Sequence, residues 1–316
     1  MSLALLFSPQ GSQAVGMGRD LADASPAARA AFDEADATLG WSISEAAWNG
    51  PEAFLNDTRQ TQPCLLTTSV AALRALEERG AFTPAFVAGH SVGEYAALVA
   101  ARVLRFDAAL RLVARRAALM AEAGAGGGMS AVIGLDRASV EDVVAAVGRP
   151  AELVVANDNA PGQVVVSGTL EALAAADEPM KAAGARRVIP LPVSGAFHSP
   201  LMAGVADALR EAFAAEAWSD ARVPVVSNVT AEPTTDAERI RALLAEQVRS
   251  PVEWVRSVER MRTDAVNTMI ELGSGAALVG MVRRIAPEVH AHAVHDAASL
   301  GAAAEALARP VEATAS

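Results

Sequence analysis

Short apolar runs alternate along the chain with amphipathic, alanine-rich segments, a pattern that predicts an α/β protein. Leu3–Phe7 is predicted as the first strand, followed by a glycine-rich turn and a helix that runs through about Asp33–Ala37. Leu65–Glu78 has helical periodicity, Phe82–Ala88 is an apolar run ending in a glycine turn and so a strand, and Gly93–Ala101 resumes as helix. Asp107–Glu122 is another amphipathic helix, with Asp107 placed to cap it. The glycine-rich run Gly124–Gly128 is the strongest linker signal in the chain.

After that run the expected order is strand Ser130–Gly134, helix Ala138–Val147, strands Leu153–Ala156 and Gln163–Ser167, helix Leu170–Ala183 and strand Arg187–Leu191. This βαββαβ order resembles a ferredoxin-like unit, a small subdomain over 124–196 inserted between the two parts, 1–123 and 197–316, of a larger one. The larger pattern then resumes with a helix, strand Val223–Ser227, two helices, strand Asn267–Glu271 and helix Ala276–Ile285. There is no internal repeat, and Pro310–Ser316 is expected to fray.

Composition narrows the function classes. The 316 residues are 52% hydrophobic and 20% charged, which excludes a disordered chain. The longest apolar stretch, near Ala96–Leu104, is broken by Arg102 and falls well short of the ~20 residues a membrane span needs. The segment from Met1 to Phe7 has no basic region and no small-residue cleavage site, so it is expected to be a buried strand and not a signal peptide. Cys64 is the one cysteine, which removes disulfide frameworks and cysteine metal sites and points to a reducing compartment, the cytoplasm. A net charge of −11 argues against nucleic acid as a partner. Lys181 is the only lysine among the 26 basic residues, so any local basic patch is made of arginine.

Gly89-His90-Ser91-Val92-Gly93 matches the G-x-S-x-G nucleophile elbow, with a strand expected before it and a helix after it. Small flanking residues permit a strained turn that lifts the hydroxyl clear of the backbone, and the helix N-terminus offers free N–H groups to a developing oxyanion. A serine needs a base to take its proton, and five histidines are available. His90, next to Ser91, points away on such a turn and is expected to pack. His290, His292 and His295 alternate in a short apolar stretch, but only Asp296 stands near them, too little for a metal site. His198 lies in a loop just before a helix; on residues alone such a histidine serves structure as readily as catalysis.

Several stretches together carry a resemblance: Gln10-Gly11-Ser12-Gln13, Gln60-Thr61-Gln62-Pro63, Gly89 to Tyr95, Pro161 to Val165, and Gly195 to Met202. In this order, across nearly the whole chain, they resemble the malonyl-CoA:acyl carrier protein transacylases. The resemblance implies an α/β-hydrolase-like core carrying the ferredoxin-like subdomain. It also implies transfer of malonyl from malonyl-CoA to acyl carrier protein for fatty acid synthesis, without metal or tightly bound cofactor and by a monomer. By the same match Ser91 is acylated, His198 is the base, and a carbonyl of Gln247 orients the histidine in place of a carboxylate. The order Ser91, His198, Gln247 differs from true α/β hydrolases, whose acid lies between serine and histidine. Asp107, Asp136, Asp142, Asp158 and Asp177 occupy that interval in no triad-like context.

The resemblance further assigns the oxyanion-hole N–H groups to Gln10 and Val92, and the grip on the malonyl carboxylate to Arg116. A planar, permanently charged guanidinium suits that grip; Arg111 and Arg115 read as helix-surface residues, and the choice of Arg116 over them rests on the resemblance. Phe197 is expected to crowd an α-methyl group and so favour malonyl over methylmalonyl, a preference of about 1–3 kcal/mol. Gln62 and the pair Asn157 and Asn159 read as pocket and loop-anchoring residues, with a structural turn equally open to the asparagines. Two departures stand out: Ser8-Pro9 in place of proline-glycine before Gln10, and Ala276 where many relatives carry lysine. Arg186, Arg187, Arg283 and Arg284 are candidate contacts for an acidic carrier protein. The rival readings are a serine hydrolase, a non-catalytic loading or scaffolding subunit, and the same transferase chemistry in polyketide synthesis or malonate decarboxylation.

Overall fold

The computed structural model describes residues 2–308; Met1 and residues 309–316, and with them the expected frayed segment Pro310–Ser316, lie outside the described residues. Along the chain the elements are β1 (Leu3–Phe7), α1 (Arg19–Ala24), α2 (Pro26–Leu39), α3 (Ile43–Asn49), α4 (Glu52–Leu55), α5 (Thr58–Arg79), β2 (Phe86–Gly89), α6 (Gly93–Ala100) and α7 (Phe106–Ala123). There follow β3 (Gly127–Ile133), α8 (Arg137–Val147), β4 (Leu153–Ala160), β5 (Gln163–Thr169), α9 (Leu170–Ala182) and β6 (Arg187–Pro190). The chain then continues through α10 (Ala203–Phe213), β7 (Val225–Val226), β8 (Pro233–Thr234), α11 (Ala237–Gln247), α12 (Trp254–Thr263), β9 (Thr268–Leu272), α13 (Ala277–Ile285), β10 (His290–Val294) and α14 (Ala297–Ala308).

Two sheets result. The larger has the order β10-β9-β1-β2-β7-β8 and is parallel except for β8, while the smaller, β4-β5-β3-β6, is antiparallel. All five residues of β1 are buried, as a central parallel strand covered on both faces requires. Because successive side chains alternate, Leu3, Leu5 and Phe7 enter the core shared with α2, α5, α6 and α7, whereas Ala4 and Leu6 face Trp254, Val258, Met261 and Leu278. The small sheet packs α8 and α9 over its own core of Val132, Val140, Val164, Val166 and Met180. No helix among the described residues is long and apolar enough to cross a membrane.

The run Gly124–Gly128 is not a free linker: its last two residues are already in β3, where the chain crosses the segment returning from β6. A Cβ on Gly124 would come within 2.0 Å of the Ser194 carbonyl oxygen, and one on Gly127 within 2.8 Å of the Ala196 Cβ. These glycines allow two backbones to touch where the sheets join. Asp107 does not cap α7: Arg105 holds the cap position, and Asp107 sits in the first turn, paired with Arg105 and Arg111. The strand expected at Val223–Ser227 shortens to two residues, since Ser227 N–H bonds to Glu232 O and turns the chain into β8. Asn157 and Asn159 lie on β4, not in a turn, and line the cleft described below.

Candidate active site

The elbow is made by two close approaches. A Cβ on Gly89 would meet the Gly93 carbonyl at 2.0 Å, and one on Gly93 would meet the Phe7 carbonyl oxygen at 2.2 Å. Only glycine lets β2 turn this tightly into α6 while α6 presses on β1. Ser91, between them, is driven to φ 55°, and His198 also sits in the left-handed region at φ 58°. Such strain costs of order 1–3 kcal/mol per residue and is retained where neighbours over-determine the backbone. Here they do: Ser91 N–H donates to Asn228 Oδ1 (2.7 Å), Asn228 Nδ2 donates to Gly89 O (2.6 Å), and His198 N–H donates to Val248 O (2.9 Å).

Ser91 Oγ lies 2.8 Å from His198 Nε2, and His198 Nδ1 lies 2.8 Å from the backbone carbonyl oxygen of Gln247. A carbonyl only accepts, so Nδ1 carries the proton and Nε2 presents its lone pair to the serine hydroxyl. Burial, with the Arg116 guanidinium close by, lowers the His198 pKa to about 3, so the ring is neutral at physiological pH. His90, the other buried histidine, donates from Nε2 to Asn159 Oδ1 (2.8 Å) and packs on Trp254 at a centroid distance of 5.4 Å.

Arg116 is fully buried. Nη1 donates to Gln62 Oε1 (2.7 Å), while Nη2 donates to Ser91 Oγ (3.0 Å) and to Gln247 Oε1 (3.0 Å). It forms no salt bridge among the described residues, and burial holds its pKa below the ordinary arginine value. Arg111 and Arg115 are exposed; Arg111 pairs with Glu216 and Asp107. Gln62 continues the network, donating from Nε2 to Gln10 Oε1 (3.3 Å).

The backbone N–H groups of Gln10, in the loop after β1, and Val92, at the start of α6, donate to no other group among the described residues. Pro9 leaves that loop closed: Ser12 N–H and Oγ both bond to the Pro9 carbonyl, at 3.3 and 2.7 Å. Gln10, Ser91, His198 and Phe197 line one cleft of about 180 Å³, whose remaining wall includes the apolar side chains of Met120, Met129, Val165 and Met281. Asp136 caps α8, Asp158 faces Arg137, Asp177 pairs with Lys181 and Asp142 is exposed, so these aspartates do not meet His198. His290 and His292 lie on the edge strand β10 with His295 just beyond it, and no group of three or more potential metal ligands gathers among the described residues.

Two residues at the site escape sequence reasoning. Asn228 follows β7 at the carboxyl edge of the parallel sheet, where open α/β sheets place their ligands. Glu94, a lone carboxylate opening the otherwise apolar helix α6, accepts from Gln247 Nε2 (2.6 Å), and burial pushes its pKa up to about 7.

Residues 4–308 match the acyl transferase domain family. The chain is 42% identical over 308 residues to a malonyl CoA-acyl carrier protein transacylase of Bacillus subtilis, covering 96% of this chain and 97% of that one. Among solved structures it superposes with a TM-score of 0.94 on a malonyl-transacylase in complex with its type II polyketide acyl carrier protein, at 41% identity and covering 97% and 100% of the two chains. An acyl carrier protein S-malonyltransferase from Vibrio cholerae gives a TM-score of 0.93 at 40% identity, covering 96% and 100%.

Proposed function

Since the chain belongs to the acyl transferase domain family, we infer that it moves malonyl from malonyl-CoA to the phosphopantetheine thiol of acyl carrier protein through a malonyl ester on Ser91, supplying extender units for fatty acid synthesis. Neutral His198 takes the Ser91 proton through Nε2 as the oxygen attacks the thioester carbonyl. The tetrahedral oxyanion is held by the N–H groups of Gln10 and Val92, each worth roughly 3 kcal/mol of barrier. The coenzyme A thiolate leaves with the proton from the imidazolium, and the carrier thiol then reverses the sequence. The Gln247 backbone carbonyl serves as the orienting group, so its amide side chain is free for Arg116 and Glu94.

The observation that carries this reading is the buried guanidinium of Arg116, 3.0 Å from Ser91 Oγ. A permanent buried cation beside the nucleophile is costly unless an anion comes to it, and a carboxylate-bearing acyl group on Ser91 brings one. A hydrolase of neutral esters has no use for it, and a scaffold has no use for the serine–histidine pair. Phe197, buried in the cleft wall, supports a preference for malonyl over methylmalonyl. The reading calls for no metal or tightly bound cofactor, only the coenzyme A thioester. Similarity to a transacylase solved with a polyketide carrier leaves polyketide supply as the second reading, with identical chemistry.

In the same reading the larger sheet is an α/β-hydrolase-like core over 1–123 and 197–316. The smaller is a ferredoxin-like insertion over 124–196, supported by its antiparallel order β4-β5-β3-β6 with α8 and α9 as crossovers. We place the enzyme in the cytoplasm as a monomer. The carrier protein is assigned to the rim where Arg284 reaches the Pro161 carbonyl and the Gln163 side chain, with Arg283 next to it in the chain and Arg186 and Arg187 at the start of β6; charge reversal there is expected to raise KM for the carrier.

Intact-mass spectrometry after brief exposure to malonyl-CoA tests the reading. Wild type is expected to gain one malonyl group that Ser91→Ala does not gain and that carrier protein discharges. Free malonate and coenzyme A without a carrier would instead indicate a hydrolase.

A further inference from the structure

Arg116 and Glu94 are a buried guanidinium and a buried carboxyl group that do not touch. Neither forms a salt bridge among the described residues, yet they stand at opposite ends of one side chain: Arg116 Nη2 donates to Gln247 Oε1 at 3.0 Å, and Gln247 Nε2 donates to Glu94 Oε2 at 2.6 Å. The carboxamide therefore lies head to tail between the charges, its dipole favourable to both. Gln247 Nε2 also donates to Ser91 O at 2.9 Å, so the bridge is tied to the elbow itself.

A carboxylate paired directly with Arg116 would occupy the guanidinium that the acyl group needs. No carboxylate at all would leave a buried cation uncompensated, at a cost far above that of an exposed one. We propose that Glu94 is the resident counter-charge of Arg116, acting through the Gln247 carboxamide, and that its negative charge sets how strongly the site prefers a carboxylate-bearing acyl group. This rests on the functional reading above. Glu94 is thus a positioning residue: it leaves the guanidinium open, and its charge weakens the hold on the malonyl carboxylate enough for the acyl group to pass on. Burial pushes its pKa up to about 7 against the opposing Arg116 charge, so the carboxylate form prevails above that pH and the comparison below is made at pH 8.

The test compares loading of Ser91 by malonyl-CoA and acetyl-CoA in wild type, Glu94→Gln and Glu94→Asp. Glu94→Gln keeps an acceptor for Gln247 and removes the charge. Its malonyl-to-acetyl ratio of kcat/KM is expected to rise about tenfold, with a lower KM for malonyl-CoA, the size expected of one unit charge at this remove in a partly polar interior. Glu94→Asp keeps the charge, and its ratio is expected to stay near that of wild type. A ratio in Glu94→Gln that is unchanged or falls, or an equal rise in Glu94→Asp, overturns the proposal. Thermal melts at pH 8 check the counter-charge itself: Glu94→Gln, which leaves the buried Arg116 cation uncompensated, is expected to be less stable than wild type, and a melt equal to or above that of wild type overturns the proposal. Wild type that does not take malonyl on Ser91 removes the functional reading itself, a different result from a failed ratio.

Discussion

Gly93→Ala probes the contact on which the whole site is built. The added methyl would lie 2.2 Å from the Phe7 carbonyl oxygen, 2.8 Å from the Phe7 carbonyl carbon and 3.0 Å from the Ser8 carbonyl oxygen. Ordinary contact begins at 3.4 Å, so α6 must retreat from β1 by about 1.2 Å (3.4 less 2.2), and the obstacle is backbone in the middle of a sheet, which cannot turn aside. Ser91 and Val92 travel with α6, whereas Gln10 stays with the loop after β1. The retreat therefore separates the N–H groups of Gln10 and Val92, the proposed oxyanion donors, and shifts Ser91, the proposed nucleophile, with one of them. A misplacement near 1 Å costs roughly 100-fold in rate, and overpacking of this severity costs about 3 kcal/mol of stability or more. The assays are single-turnover malonyl loading followed by intact mass, and thermal unfolding. Gly280→Ala is the control: it lies inside α13, a Cβ there meets nothing within 4 Å, and it is expected to be neutral or stabilising by up to about 1 kcal/mol. Loading and melting temperature in Gly93→Ala indistinguishable from wild type would refute the reasoning.

Arg116→Ala is expected to lower kcat/KM for malonyl-CoA by at least about 100-fold while changing acetyl-CoA by less than about tenfold, as expected when the partner of a buried charge is removed; equal losses for both would deny Arg116 its carboxylate. Asn228→Ala strips the acceptor from Ser91 N–H and the donor from Gly89 O, both at the elbow, so it should cost about 1–3 kcal/mol in a denaturant melt and slow loading; an unchanged melt counts against the elbow's dependence on it. The depressed pKa of His198 also makes a pH prediction. An ordinary histidine would lose about 30-fold of its neutral form between pH 8 and pH 5, but at about 3 this one loses almost none. Acetyl loading, chosen because Glu94 acts on a carboxylate, should therefore stay level over that range, and a tenfold fall would contradict it. The linked stability effect has a definite sign: the folded state binds fewer protons than the unfolded one between about 3 and 6.5, so this contribution is fully present above 6.5 and is lost as pH falls toward 3.

The elbow was legible because its determinants are local: an apolar run, two glycines around a serine, and a helix pattern after it. The α/β character followed from the same alternation, although the short pair β7 and β8 did not, because two-residue strands carry no period. What the sequence could not supply was distance. Ser91, His198 and the Gln247 carbonyl meet across 107 and 49 positions, and nothing in the spacing says so. Asn228 reaches the serine across 137 positions in the same way.

Arg116 is different, because α7 itself carries a local signal for it. On α7 the buried positions include Leu112, Val113, Arg116, Ala117 and Met120, a stripe at the helical period, and Arg111 and Arg115 fall off it. On α11, Gln247 continues the buried stripe of Ile240, Leu243 and Leu244, so the surface position otherwise expected of a helix glutamine is excluded. Glu94 is likewise the polar member of a buried helix. Burying such groups is expensive, so a chain that places arginine, glutamine and glutamate on apolar stripes must bring them to one another or to a ligand. Here the three meet one another, in one chain of hydrogen bonds whose cationic end lies beside Ser91. A polar residue on an apolar stripe is thus the local mark of a group recruited to a site, and what remains for the structure is which of these groups meet.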